Sequence, residues 1–133
     1  MKVKDLPTII NAFGQLGAIE KLPARVSYAV AKNLKKLQSA TETYDKVRLE
    51  KAKAIGTLNA EGTQYIFEGP AQQEFNSFMQ DLGDTEALIS LHSIQFEEVK
   101  DLCIPAPVFF HLMDFIIEAE EKQDAQSPAV DPV

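Results

Sequence analysis

The sequence predicts an α+β protein, mainly α, in which one long central helix packs with two or three shorter helices and a small two- or three-stranded sheet. Three observations carry this. No Gly or Pro interrupts the stretch between Pro23 and Gly56, which is rich in Ala, Lys, Leu and Glu, residues that lose little on entering a helix. Segments near the N-terminus, after Gly69-Pro70 and after Pro105 set apolar residues at three- and four-residue spacing. Short runs rich in β-branched and aromatic residues lie between Gly, Pro and Asn punctuation.

The first helix begins with Asp5 placed to cap it and Pro7 in its first turn. Leu6, Ile9, Ile10, Phe13 and Leu16 share one face, and Gly17 is a natural stop. The long helix spans about residues 23–55, roughly 50 Å at 1.5 Å per residue, with Gly56 expected in a left-handed terminal conformation. Its first half presents Val26, Ala29, Val30, Leu34 and Leu37 as a broad apolar face. Beyond Ala40 only Tyr44, Val47, Leu49 and Ile55 stand among charges, and Val30, Leu34, Leu37, Thr41 and Tyr44 make a heptad too short to specify a coiled coil. Residues 57–62 read as a turn-rich loop and 63–68 as a strand. A helix follows Pro70, with Ala71, Phe75, Phe78, Met79 and Leu82 on one face, and ends at Gly83. Residues 87–91 and 94–96 have strand composition, with the alternation slipping near His92-Ser93. Pro105 and Pro107 open a last helix bearing Val108, Phe109, Leu112, Met113, Phe115 and Ile116. The expected organisation is one domain over residues 1–121 and a flexible acidic, Pro-containing tail over 122–133.

Charge is divided at one point. Met1 to Gly56 holds eleven Lys/Arg against five Asp/Glu, a balance of +6, while residues 57–133 hold two against fifteen, a balance of −13, giving the net −7. Such asymmetry reports on partners more than on chemistry. No apolar run approaches the ~20 residues that cross a bilayer, the N-terminus carries no secretory pattern, and the single cysteine, Cys103, has no partner for an internal disulfide. Its neighbours Leu102 and Ile104 suggest a buried structural thiol.

Templates for catalysis find no match. Serines lack a GxSxG setting, the six glycines are scattered, and Glu97-Glu98 and Glu120-Glu121 are adjacent pairs whose side chains diverge. His111 and Asp114 stand at a metal-compatible i,i+3 spacing, with Cys103 and His92 as further donors, yet no CxxC or HxxxH accompanies them. The reading is therefore of a non-enzymatic chain with no cofactor and no metal. Arg25, Lys32 and Lys36 fall on one helical stripe with Lys35 beside it, a pattern able to follow phosphates. The net charge of −7 and a stripe that aromatics do not interleave weigh against nucleic acid. The opposite idea, carboxylates imitating DNA phosphates, is weakened by their spread over the whole second half.

The segment Lys21-Leu22-Pro23-Ala24-Arg25-Val26-Ser27-Tyr28-Ala29-Val30-Ala31-Lys32-Asn33-Leu34-Lys35-Lys36-Leu37 resembles a group of small uncharacterised phage and prophage proteins, in which such a stretch opens a long charged helix. Phe75-Asn76, Asp84-Thr85-Glu86 and the C-terminal apolar segment follow in a similar order. The resemblance implies a phage setting, in the cytoplasm of an infected bacterium or within a virion, and implies no activity or cofactor. The leading expectation is a small phage protein acting through protein–protein contacts as a virion, assembly or self-assembling component. Alternatives are an inhibitor that binds a host enzyme and a nucleic-acid-binding accessory protein. The basic helix and acidic remainder satisfy each other either within one chain or between copies, the latter giving a salt-sensitive homo-oligomer. Arg25, Lys32, Lys35 and Lys36, with Tyr44 and Val47, are the candidate partner-binding residues. The plainer alternative is that Tyr44 and Val47 pack on the C-terminal helix.

Overall fold

The computed structural model describes residues 1–118; the acidic tail expected over 122–133 and the Glu120-Glu121 pair lie outside them. The chain is α+β and mainly α. Four α-helices run Leu6–Gly17 (α1), Ala24–Ile55 (α2), Pro70–Asp84 (α3) and Ala106–Leu112 (α4). Four two-residue strands, Thr57–Leu58 (β1), Tyr65–Ile66 (β2), Ile94–Gln95 (β3) and Ile116–Ile117 (β4), form two separate two-stranded sheets. The described residues group into two compact units: Met1–Pro7 with Leu37–Ile89, and Thr8–Lys36 with those from Ser90 onward. Helix α2 gives its first part to the second of these and the remainder to the first.

In the unit holding the N-terminus, the chain start is tied to the end of α3. The amide of Val3 donates to Thr85 O at 2.9 Å and the amide of Ala87 to Met1 O at 2.8 Å, flanking a single antiparallel bridge between Lys2 and Glu86. Asp5 does not cap α1 as the sequence predicts. A 3-10 turn over Val3–Asp5 precedes the helix, and the Asp5 carboxylate accepts from the backbone N–H of Lys2 at 3.2 Å. Leu37 and Ala52 are buried on the later part of α2. After the helix, β1 and β2 pair antiparallel, Thr57 with Ile66 and Leu58 with Tyr65. Only Tyr65 and Ile66 of the expected 63–68 strand enter a ladder, and their partner is the start of what reads as a loop. Asn59 shapes the turn, its Oδ1 accepting from the amide of Thr63 at 2.9 Å, while Gly62 supplies a φ of 72°.

Gly56 follows α2 for a reason the sequence does not show. Only Gly62 and Gly69 are left-handed among the described glycines, so its role is not the expected left-handed cap. A Cβ at Gly56 would stand 2.7 Å from the Phe67 ring and 2.8 Å from Ala52 O. That ring is itself stacked on Phe75 at 4.3 Å between centroids. Gly56→Ala must displace a held aromatic or the helix end, and an overpacking loss of about 1–3 kcal/mol is expected in urea denaturation. A loss below about 0.5 kcal/mol would show that Phe67 moves aside freely.

The other unit is built on the first part of α2. Val26, Ala29, Val30 and Asn33 follow helical spacing and are all buried, together with Ala12, Phe13 and Leu16 of α1 and Val108 and Leu112 of α4. Ile94 and Val99 complete this core. Gly17 lets α1 end close to α2, since a Cβ there would lie 3.1 Å from Val30 Cγ1. Strands β3 and β4 pair in parallel, Ile94 with Ile116 and Gln95 with Ile117.

Three expectations are corrected in the C-terminal half. Residues 87–91 are not a strand. Among the described residues no strand offers them a ladder, and the carbonyl of Ser90 is taken by the Lys36 ammonium at 2.7 Å instead. The last helix stops at Leu112, passes through a 3-10 turn over Met113–Phe115 and becomes β4, because the β-branched pair Ile116-Ile117 meets β3. Cys103 is exposed, lying between half-buried Leu102 and Ile104 rather than buried with them.

Candidate interaction surface on the long helix

From Ala24 to Thr41 helix α2 carries four cations and no carboxylate. At 3.6 residues per turn, Arg25, Tyr28, Lys32, Lys35 and Lys36 fall within about 100° of arc, beside the arc that buries Val26, Ala29, Val30 and Asn33. All five are exposed. The stripe inferred from sequence is therefore a surface of the folded chain, with one correction: an aromatic does interleave it. Tyr28 stands three residues after Arg25 and four before Lys32, is 59% exposed, and has the Lys32 ammonium 5.8 Å from its ring centroid.

The cations differ in what they touch. Arg25 reaches Glu98 only at 3.9 Å, with its own side chain 84% exposed, and such a solvated pair contributes little. Lys36 is committed to Ser90 O. Lys35 is exposed on the same face.

Beside Tyr28 lies His92, edge-on at 6.2 Å between ring centroids and 68° between planes. A groove of about 230 Å³ opens there, with Arg25, Tyr28, His92, Ser93, Gln95 and Glu98 among its walls. What fixes His92 is Asn33, the one buried polar residue in the described core. The Asn33 side chain accepts from the His92 N–H at 2.7 Å and donates to the His92 carbonyl at 3.0 Å. A single amide thus satisfies both backbone groups of one residue, as a neighbouring strand would. With Lys36 holding Ser90 and β4 pairing with Ile94, the segment is held at every second residue. Asn33 was legible as a polar residue in apolar register, four after Ala29 and four before Leu37.

Tyr44 and Val47, the remaining candidates, belong to the other unit. Both are half-buried and line a groove of about 300 Å³ with Val3, Leu6, Leu82 and Leu88. Leu88 is 95% exposed at its rim.

The divided charge has a visible outcome. Six ion pairs join described residues, and four of them link the two sides of Gly56: Met1–Glu86, Lys4–Asp84, Arg25–Glu98 and Lys51–Glu74. Lys51 also lies 5.2 Å from the Phe78 ring centroid. Each pair closes inside one compact unit. Among the described residues no three His, Cys, Asp or Glu side chains converge, and no helix is long and apolar enough to cross a membrane. The chain matches no protein-family model, no curated protein and no solved structure.

Proposed function

We propose that this chain is a small non-enzymatic binding protein, of the phage setting its Lys21–Leu37 segment resembles, that engages an anionic partner through the outer face of the first part of α2. The observation that carries this is the exposed run of Arg25, Lys32 and Lys35 on a stretch without a carboxylate. Apart from Glu98, which reaches Arg25 only at 3.9 Å, the paired acidic residues that cross from the second half go to Lys4, Lys51 and the N-terminal ammonium. Those pairs form within one chain, which favours a separate partner over head-to-tail self-assembly.

Wild-type chain is expected to be retained on phosphocellulose at low salt despite its net charge of −7, and the triple variant R25E/K32E/K35E is expected to flow through. Exposed charges are screened within ~10 Å at 0.1 M salt, so retention should fall as salt rises. Flow-through of the wild type would overturn the reading. A second reading, a protein partner that seats an apolar side chain beside Tyr44 and Val47, is favoured by the exposure of Leu88 at that groove.

A further inference from the structure

We propose that Tyr28, bracketed by Arg25 and Lys32 and edged by His92, is a stacking platform for one base of a single-stranded nucleic acid. This rests on the reading of the same face as anion-binding and names what the anion belongs to.

Single-strand recognition without sequence readout needs two things: cations that track a backbone, and an aromatic face on which a base lies. Both are present at one place. The Tyr28 ring is 59% exposed, and it is no isolated surface tyrosine, because the His92 ring stands edge-on beside it, on a backbone tied by the buried Asn33. The groove between them, about 230 Å³, falls below the roughly 300–1,000 Å³ of pockets for drug-sized ligands. It suits a single ring system. Ser93, Gln95 and Glu98 on its walls offer donors and acceptors to a base edge. Arg25 to Lys36 spans about 17 Å of helix, and Arg25, Lys32 and Lys35 lie in reach of the phosphates on either side of a base seated at Tyr28.

A run of carboxylates on a protein would pair with these cations and bring no ring of its own to the Tyr28–His92 corner, whereas every nucleotide carries one beside its phosphate. A duplex keeps its base faces stacked internally and offers none to the Tyr28 ring. The presence of the aromatic corner among the cations is what selects the single strand. Three phosphate contacts on a single strand correspond to a salt slope of about −2 in log K against log salt, shallow enough to suit a chain whose overall charge is negative.

The test is fluorescence anisotropy of a labelled oligothymidylate of about 12 nucleotides, a sequence that cannot pair with itself, against the full chain at low salt. Wild type should bind it at least tenfold more tightly than a duplex of equal length. Tyr28→Ala should weaken binding roughly ten- to hundredfold, and Tyr28→Phe, which keeps the ring, should stay within about twofold of wild type. Because Tyr28 is largely exposed, both variants should melt within a few degrees of wild type, which separates lost stacking from lost folding. If Tyr28→Ala binds as well as wild type while R25E/K32E/K35E does not, stacking is overturned and the anion-binding face stands. If wild type binds polyglutamate but not oligothymidylate, the partner is an acidic protein and the proposal falls. Absence of binding to phosphocellulose, polyglutamate and oligothymidylate alike would overturn both readings.

Discussion

Phe13→Ala is expected to destabilise the chain by about 3–5 kcal/mol in urea denaturation followed by circular dichroism. Phe13 is fully buried, and its ring lies 5.7 Å from that of Phe115 at a tilted 43°. It sits between Ala12 and Leu16 on the buried face of α1. Truncation removes the ring's transfer free energy and leaves a void that close-packed neighbours fill only in part. Against a total stability of roughly 5–15 kcal/mol for an ordinary domain, this one change removes much of the margin. Phe110→Ala is the control, since Phe110 is 70% exposed and its loss should stay within about 0.5 kcal/mol. Equal effects at the two positions would mean that the core is not where the burial places it.

The helices were legible wherever punctuation and spacing agreed. Pro23 and Gly56 bracket α2 in the sequence as in the structure, and the Pro23 carbonyl takes the first helical bond, from Ser27 N at 2.9 Å. Pro70 opens α3, and the turn after Asp84 closes it. Strands were less legible because a strand is a property of two segments. Tyr65-Ile66 became one since Thr57-Leu58 lies beside it. Ala87 to Leu91, a longer apolar run, did not, since the Lys36 side chain and the chain start claim polar groups of its backbone. Ile116-Ile117 left helical spacing for the same kind of reason, a partner in β3 that composition does not announce.

The candidate site was half legible. Lysines and arginine on an apolar-faced helix project outward almost wherever that helix packs, so the stripe survived folding. Tyr28 was overlooked because its place on the stripe depends on seeing three- and four-residue offsets to both Arg25 and Lys32 at once. Its second wall, His92, is 64 positions away in sequence (28 to 92) and is brought there by the fold, its own backbone tied by Asn33. Charge division was plain in the sequence, but pairing across Gly56 within one chain required the fold to bring Lys51 to Glu74 at 2.8 Å and Lys4 to Asp84 at 3.1 Å.

Asn33 is where fold and site meet, and Asn33→Leu is expected to cost about 2–4 kcal/mol. Leucine has the same branching and is somewhat larger, so no cavity opens. The cost arises because the N–H and carbonyl of His92 lose partners at 2.7 and 3.0 Å; both bonds are part-buried, and a backbone group left without its partner there costs about 1–2 kcal/mol. Asn33→Asp separates the two bonds: an ionised carboxylate still accepts from the His92 N–H but faces the His92 carbonyl with a second acceptor, in a position fully removed from water. Both variants should speed hydrogen exchange at the His92 amide well beyond the change at core amides of α2, because the segment from Ser90 to Gln95 loses its central tie while the helix keeps its own ladder. Uniform acceleration across the unit would instead indicate global destabilisation alone. If Asn33 serves the platform as well as the core, a folded Asn33 variant should bind oligothymidylate less tightly than wild type while its phosphocellulose retention, which depends on Arg25, Lys32 and Lys35, is kept. Retention and oligonucleotide binding falling together would place Asn33 in the scaffold only, since loss of the whole face needs no displaced His92.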